Sequence, residues 1–318
     1  MQKRPLGKSD MNFTTIGLGT WAMGGADWDF GWGPQDDKKS IDTIHKALDM
    51  GVNWIDTAPV YGLGHSETVV GRALEGISEK PYIATKLGRV WNEKKELGFD
   101  LRPSSIRKEI EDSLRRLQVE IIDLYQIHWP RDKDDVERAW ETMAELVHEE
   151  KVRYLGICNA SVEQLQSISR IYPVTSLQPP YSLVKPDVEN ELLPYCQENQ
   201  IGVVPYSPMY KGLLTGKFSH EYMQNLPESD HRHRDPQFQD PQLDQNLKMV
   251  DQLTEIASRS GYKVAQLAIA WTLKNPAVTS AIVGARKPDQ LNDIVPAGDW
   301  ELSDEEKAEI DRIKAKHS

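Results

Sequence analysis

Four ionisable side chains in the first half of the chain have the types and spacing to put a proton on a carbonyl oxygen: Asp56, Tyr61, Lys86 and His128. Asp56, Lys86 and His128 each stand at or near the end of a short apolar run, and Tyr61 lies in the stretch that follows Asp56. Taken singly, each has a plain structural explanation. An aspartate after a strand caps a turn, a lysine ends in solvent, and a histidine sits satisfied in a core. Their recurrence at the ends of three successive runs is what singles them out. Tyrosine, with an ordinary pKa near 10, is a poor acid or base at neutral pH. A lysine cation beside it favours phenolate and lowers that pKa. A buried lysine tends to lose its proton unless a carboxylate such as Asp56 holds the charge. His128 can orient a carbonyl oxygen through a ring N–H or relay a proton. Together they read as a general acid acting on a developing alkoxide. The set lacks an electron source. With no metal-ligand cluster in the sequence, a hydride carrier is the economical choice.

These residues converge only if the elements bearing them are neighbours. Short apolar runs predict eight strands, at 13–21, 52–57, 82–87, 121–128, 153–159, 175–178, 201–206 and 281–283. Amphipathic stretches predict helices at 36–50, 66–74, 104–117, 136–150, 162–171, 188–198, 243–259, 264–275, 289–294 and about 303–314. The third carries Ile106, Ile110, Leu114 and Leu117 on one face. Ser161 is expected to cap the fifth, and Ser303 with Glu306 forms a capping box for the last. Repeated βα units imply a parallel sheet, and eight of them over 318 residues imply an α/β fold of the (β/α)8 TIM barrel kind, a single domain over 1–318. Functional groups in such a barrel gather at the C-terminal ends of the strands. A doubly wound sheet would need a GxGxxG turn, and Gly17-Leu18-Gly19 lacks the third glycine. The polar stretch 219–241, which contains Ser229-Asp230-His231-Arg232-His233-Arg234-Asp235-Pro236, is expected as a long loop of the functional or disordered kind.

Composition narrows the function. Lys and Arg number 38 against 49 Asp and Glu, a net charge of −11, which argues against wholesale binding of nucleic acid or anionic membrane. The two cysteines, Cys158 and Cys196, form no CxxC and join no Cys/His cluster, so a disulfide scaffold or structural zinc site is not expected and a reducing compartment fits. The first residues lack the apolar core of a signal peptide, and no apolar run approaches the ~18 residues of a membrane span. The expectation is a cytoplasmic protein, monomeric by preference, with a small-molecule carbonyl substrate and no metal.

Asp56-Thr57-Ala58-Pro59-Val60-Tyr61-Gly62, Ala84-Thr85-Lys86 and Asp123-Leu124-Tyr125-Gln126-Ile127-His128-Trp129-Pro130 resemble the aldo-keto reductases. The likeness spans the chain, from Gly17-Leu18-Gly19-Thr20-Trp21 to Gly284-Ala285-Arg286-Lys287-Pro288, and looks nearest to the bacterial branch of general stress protein 69. It implies an NADP(H)-dependent barrel that reduces aldehydes or ketones, sugar-derived or aromatic ones among them, with a catalytic tetrad of Asp56, Tyr61, Lys86 and His128. It also implies a cofactor lying across the C-terminal mouth. Thr20, Trp21 and Asp56 would be near the nicotinamide, Asn159 and Gln178 on its carboxamide, and Tyr206 stacked on its ring. The segment Ser207, Pro208, Met209, Lys211, Gly212 and Lys217 would follow the pyrophosphate. Gly284, Ala285 and Arg286 would hold the adenosine phosphate, with Gln290 and Asp293 at adenine. Arg286 and Lys287 ahead of a helix also make a fitting 2′-phosphate site on physical grounds, which favours NADP over NAD. Where such enzymes usually have Ser-Asn, this chain has Cys158-Asn159, and a thiol is the weaker hydrogen-bonding group.

Five of the nine tryptophans, Trp21, Trp28, Trp32, Trp91 and Trp129, fall in loops or strand ends at the expected mouth and are candidate walls of a substrate pocket. The alternative to a reductase is a regulatory module on the same fold that binds NADP with slow or vestigial turnover. A Schiff-base lysine at position 86 is disfavoured by Asp56, which would keep it charged.

Overall fold

The computed structural model describes residues 1–317 apart from 27, 29 and 229; Ser229, read above as part of the long loop, therefore lies outside the described residues. Eight parallel strands form the sheet: β1 (Ile16–Gly19), β2 (Trp54–Asp56), β3 (Tyr82–Leu87), β4 (Ile122–Ile127), β5 (Val152–Cys158), β6 (Ser176–Gln178), β7 (Gly202–Val203) and β8 (Ala281–Gly284). Each pairs with its neighbour in sequence, and β8 pairs with β1 in the register Ile282 to Gly17 and Gly284 to Gly19. Closure between β7 and β8 comes from parallel bridges Val203–Val278 and Tyr206–Ile282, with the Ile282 N–H donating to Pro205 O at 2.9 Å. The barrel is thus complete, and Pro205 accounts for the shortness of β7, since a proline cannot donate to the ladder.

Helices follow for the reasons their sequences suggest. The helix Asp37–Asp49 opens with the Asp36 carboxylate accepting the Lys39 N–H at 2.9 Å. Ser161 caps Val162–Ile168 in a reciprocal box with Gln164, and Ser303 does the same with Glu306 ahead of Asp304–His317. Among the described residues no helix is long and apolar enough to cross a membrane.

Several elements differ from expectation. The run 13–21 divides at Thr15. Its first part joins a hairpin, Lys3–Pro5 with Asn12–Thr14, at the N-terminal end of the barrel; its second part is β1. A second hairpin, Arg89–Trp91 with Leu97–Phe99, follows β3 unannounced by any alternation in the sequence. The stretch 188–198 becomes a 3-10 turn, Asp187–Glu189, and a helix, Leu192–Asn199. The expected helix at 289–294 is only Asp289–Asn292. The polar segment 219–241 contains helical turns at His220–Gln224, His231–Arg234 and Pro236–Phe238, and Leu213, Phe218, Met223, Phe238 and Leu243 bury one another beneath it. It is a packed structural unit.

The hairpin plugs the barrel with Phe13, stacked at 4.5 Å on Trp54, whose indole N–H donates to Ser280 Oγ at 2.9 Å. Leu6, Met11, Ala84, Leu124, Val204 and Ile282 pack around them. Gly17 is required there, because a Cβ would lie 2.0 Å from the Trp54 ring. Truncating Trp54 to alanine is expected to cost about 3–5 kcal/mol, as for other large buried aromatics, measured by urea unfolding; a loss under about 1 kcal/mol would show that the plug is not part of the cooperative core.

Candidate active site

β2 ends in Asp56 and β3 carries Lys86 on the neighbouring strand, in a register that sets Asp56 beside Ala84. Both side chains are buried, Lys86 completely. Lys86 Nζ donates to both oxygens of Asp56, at 2.6 Å to Oδ1, and to Thr57 O at 2.8 Å. It also stands 3.3 Å from the Tyr61 hydroxyl oxygen. Tyr61 is brought there by a tight turn whose fit depends on glycine. Gly62 has φ +64°, and a Cβ on it would lie 2.1 Å from Gly24 O. His128, just beyond β4, faces the Tyr61 ring edge-on with centroids 5.8 Å apart, and its buried Nδ1 has no hydrogen-bond partner among the described residues. The four expected residues therefore meet.

Their electrostatics match expectation in part. Burial alone would strip the Lys86 proton; the Asp56 carboxylate, with Tyr61 and Cys158 adding to it, outweighs burial and holds the ammonium above the usual lysine range. Tyr61 runs opposite to the reading from sequence. Lys86 pulls its pKa down, but burial is the larger effect and Asp56 adds to it, so the phenol is pushed up to about 12. At neutral pH it is a proton donor. Burial, then the cations of Lys86 and Arg89, pushes His128 well below the usual histidine range, so its imidazole is neutral. Burial pushes the Cys158 thiol up, which removes it as a nucleophile.

Behind the tetrad lies a polar layer that the sequence reading only partly anticipated. Gln178 Nε2 donates to Asp56 Oδ1 at 3.1 Å and to Gln126 Oε1 at 3.2 Å, and Cys158 Sγ approaches Gln126 Oε1 at 3.9 Å. Gln126 was missed, although it lies two residues before His128 and so shares its face of β4. Thr20 is fully buried. Its hydroxyl donates to Asp56 O at 3.2 Å and accepts from Ser66 at 2.8 Å, so it fixes the β1–β2 junction. Asn159 Nδ2 donates to His128 O at 3.0 Å and its Oδ1 accepts from the Tyr206 hydroxyl at 2.9 Å. One chain of contacts thus ties β4, β5 and the end of β7 together.

The mouth beyond this layer suits a phosphate-bearing nucleotide. Tyr210, Lys211, Gly212 and Gly216 all have positive φ, and space above Gly212 is open. At the other edge Gly284 is exposed, and a Cβ there would meet nothing nearer than Gly19 O at 3.9 Å. Ser207, Pro208 and Met209 connect Tyr206 to this turn, and Ala285 is buried beside Gly284. The Arg286 guanidinium is aimed by neutral oxygens, Gln35 Oε1 at 3.0 Å and Pro34 O at 2.6 Å, and among the described residues no carboxylate pairs with it. Gln290 Oε1 accepts the backbone N–H groups of Arg286 and Lys287, at 2.7 and 3.2 Å. The two lysines expected at the pyrophosphate both have carboxylate neighbours: Lys211 donates to Asp235 at 2.7 Å, and Lys217 lies 3.7 Å from Asp293, which Lys263 also binds. The Lys211–Asp235 pair latches segment 207–217 to segment 219–241.

Of the five tryptophans, Trp21 and Trp28 contact the Tyr61 ring, at 6.4 and 6.1 Å between centroids. Trp32 packs edge-on against Trp21 at 5.4 Å. Trp91 lies on the second hairpin, and Trp129 follows His128 with 46 % of its surface exposed. His231, also missed from sequence, packs on Trp21 and Trp32.

The chain belongs to the aldo/keto reductase family, whose model matches residues 15–315. It is 39 % identical to the aldo-keto reductase YhdN of Bacillus subtilis, over 98 % of this chain and 93 % of that one. It is 36 % identical to an NADH-specific methylglyoxal reductase of Escherichia coli, over 96 % and 95 %. Among solved structures, a glycerol dehydrogenase from Gluconobacter oxydans superposes with a TM-score of 0.91 at 42 % identity, covering 99 % of this chain and 95 % of that one. A Klebsiella pneumoniae aldo/keto reductase in complex with NADP and acetate gives 0.76 at 27 % identity, covering 99 % and 96 %.

The neutral state of His128 has a consequence for stability. Its folded pKa lies below the unfolded value near 6.5, so below that pH the unfolded chain takes up a proton that the folded chain refuses. Its contribution therefore falls as pH falls, by up to about 1.4 kcal/mol per pH unit. Urea unfolding from about pH 7 to pH 5 is expected to show a shallower dependence for His128→Gln than for the wild type. Parallel curves would mean that His128 ionises freely in the fold.

Proposed function

We propose that the chain is an NADP(H)-dependent reductase of aldehydes or ketones, sugar-derived or aromatic ones among them, in which Tyr61 is the general acid. The observation that carries this is Lys86, buried, paired with Asp56 and 3.3 Å from the Tyr61 oxygen. A reduced nicotinamide bound at the mouth would supply hydride to the carbonyl carbon. The chain's own work is the rest. The substrate oxygen lies within reach of the Tyr61 hydroxyl and the neutral imidazole of His128, which orients it. As negative charge develops on that oxygen, Tyr61 releases its proton to it, and the Lys86 ammonium stabilises the phenolate left behind. Asp56 keeps Lys86 charged throughout. Trp21 and Trp28 pack on Tyr61 and limit access of water.

A nicotinamide cofactor would have its carboxamide held by Asn159 and Gln178, with Tyr206 and Trp21 to receive the nicotinamide. Gln178 would then share its amide between that group and Asp56, to which it already donates. Ser207, Pro208, Met209, Lys211, Gly212 and Lys217 would follow the pyrophosphate; Gly284, Ala285 and Arg286 would hold the adenosine phosphate, with Gln290 and Asp293 toward adenine. The Arg286 charge, aimed by neutral oxygens and without a carboxylate partner among the described residues, supports NADP over NAD. Absence of a membrane or nucleic-acid partner, a monomer and a cytoplasmic setting complete the reading.

Loss of NADPH absorbance over a mixed aldehyde panel tests the reaction, with wild type and Tyr61→Phe side by side. Turnover by the wild type and a loss of at least about a hundredfold in the variant are expected. Tight NADPH binding without turnover in either would instead favour the regulatory module. Arg286→Ala is expected to raise KM for NADPH about tenfold or more and leave that for NADH within about twofold; equal changes for both would remove the 2′-phosphate role.

A further inference from the structure

Gln178 reaches Asp56 from β6, and a side chain with no part in the reaction holds it there. Gln126 is fully buried on β4, and its Oε1 accepts from Gln178 Nε2 at 3.2 Å. The same Gln178 nitrogen stands 3.1 Å from Asp56 Oδ1. Cys158, on β5 between the two glutamine strands, brings its sulfur to 3.9 Å from the Gln126 oxygen.

These contacts fix which way the Gln178 amide points. The oxygen and nitrogen of an amide are told apart by their partners. Both Asp56 oxygens accept from Lys86, and a carboxylate can only accept, so the Gln178 atom facing Asp56 is its nitrogen. That nitrogen carries two N–H bonds. One goes to Asp56 and the other to Gln126, so both donors are occupied. What Gln178 has left for a ligand is Oε1, which can only accept. Gln126 gives up a hydrogen bond of its own to arrange this. With its oxygen turned to Gln178, its Nε2 is sealed from solvent and has no partner among the described residues.

Asn159 supplies the complement. One Nδ2 N–H goes to His128 O and Oδ1 takes the Tyr206 hydroxyl, which leaves a second N–H to donate. A primary carboxamide has one oxygen to accept and one NH2 to donate, and it could dock either way round on a glutamine free to turn. A Gln178 whose donors are occupied takes only the NH2.

We propose that Gln126 is a positioning residue for the cofactor: it locks the Gln178 amide so that its oxygen, and not its nitrogen, meets the nicotinamide carboxamide. This rests on the reductase reading above. Gln126 acts through Gln178 and touches neither cofactor nor substrate.

Dissociation constants of three ligands for the wild type and Gln126→Met, followed by tryptophan fluorescence, form the test. Methionine is close to glutamine in length and lacks the amide. The ligands are NADP+, its analogue with an acetyl group in place of the carboxamide, which accepts but cannot donate, and 2′-phospho-ADP-ribose, which lacks the nicotinamide. The wild type is expected to bind NADP+ about tenfold or more tighter than the acetyl analogue. Gln126→Met is expected to weaken NADP+ about three- to tenfold and leave the other two ligands within about twofold, so that the preference narrows. Equal losses for NADP+ and 2′-phospho-ADP-ribose would reduce Gln126 to packing and overturn the inference. So would a wild type indifferent to the acetyl group, or a variant that keeps the full preference. A wild type that binds none of the three overturns the reductase reading itself.

Discussion

Everything at the mouth depends on one buried ion pair. An ammonium sealed inside a barrel is stable only if its charge is answered on the spot, and Asp56 answers that of Lys86 with both carboxylate oxygens. Removing one partner of such a pair costs about 3–5 kcal/mol, because the other is left buried and uncompensated. The pair spans β2 and β3, so it also sets the positions of neighbouring strand ends. Tyr61 rests against it, Gln178 reaches it from β6, and Thr20 fixes the backbone of Asp56 from β1. The arrangement keeps a phenol protonated in a place where a cation is ready to receive the charge it leaves.

Much of this was legible in the chain because the barrel repeats a simple grammar. Run lengths, β-rich composition and intervening amphipathic stretches locate all eight strands, and 82–87 coincides with β3 residue for residue. Caps at Ser161 and Ser303 were readable because they satisfy local backbone donors. The tetrad was readable because consecutive parallel strands bring their ends together. Less legible was whatever depends on neighbours distant in sequence. The split at Thr15 reflects the N-terminal hairpin plugging the barrel, and no local pattern encodes that plug. The direction of the Tyr61 shift was missed for the same reason. A lysine nearby is visible in the motif, whereas the burial that outweighs it is a property of the assembled site. Partners also eluded the reading at the cofactor edge, where Lys211 and Lys217 meet carboxylates from separate segments.

The segment 219–241 illustrates how composition misleads. It is rich in charge and reads as an open loop, yet its Met223 and Phe238 are buried with the preceding Phe218, and Arg232 is held between Asp230 and Trp32. Anchored in this way, it bears His231 against the tryptophans and Asp235 against Lys211. One surface segment therefore meets both the aromatic cluster around Tyr61 and the turn that would follow a pyrophosphate.

The central claim is that Asp56 holds Lys86 charged despite its burial, and titrating Lys86 itself tests it most directly. With lysine labelled at its ε-carbon, the NMR signal that disappears in Lys86→Met identifies the residue. In the wild type that signal is expected to stay at its protonated position up to about pH 11, after the exposed lysines have begun to shift near 10.4. In Asp56→Asn it is expected to titrate below them, because the largest influence opposing burial is then gone. A wild-type Lys86 that loses its proton with the surface lysines, or before them, would contradict the account.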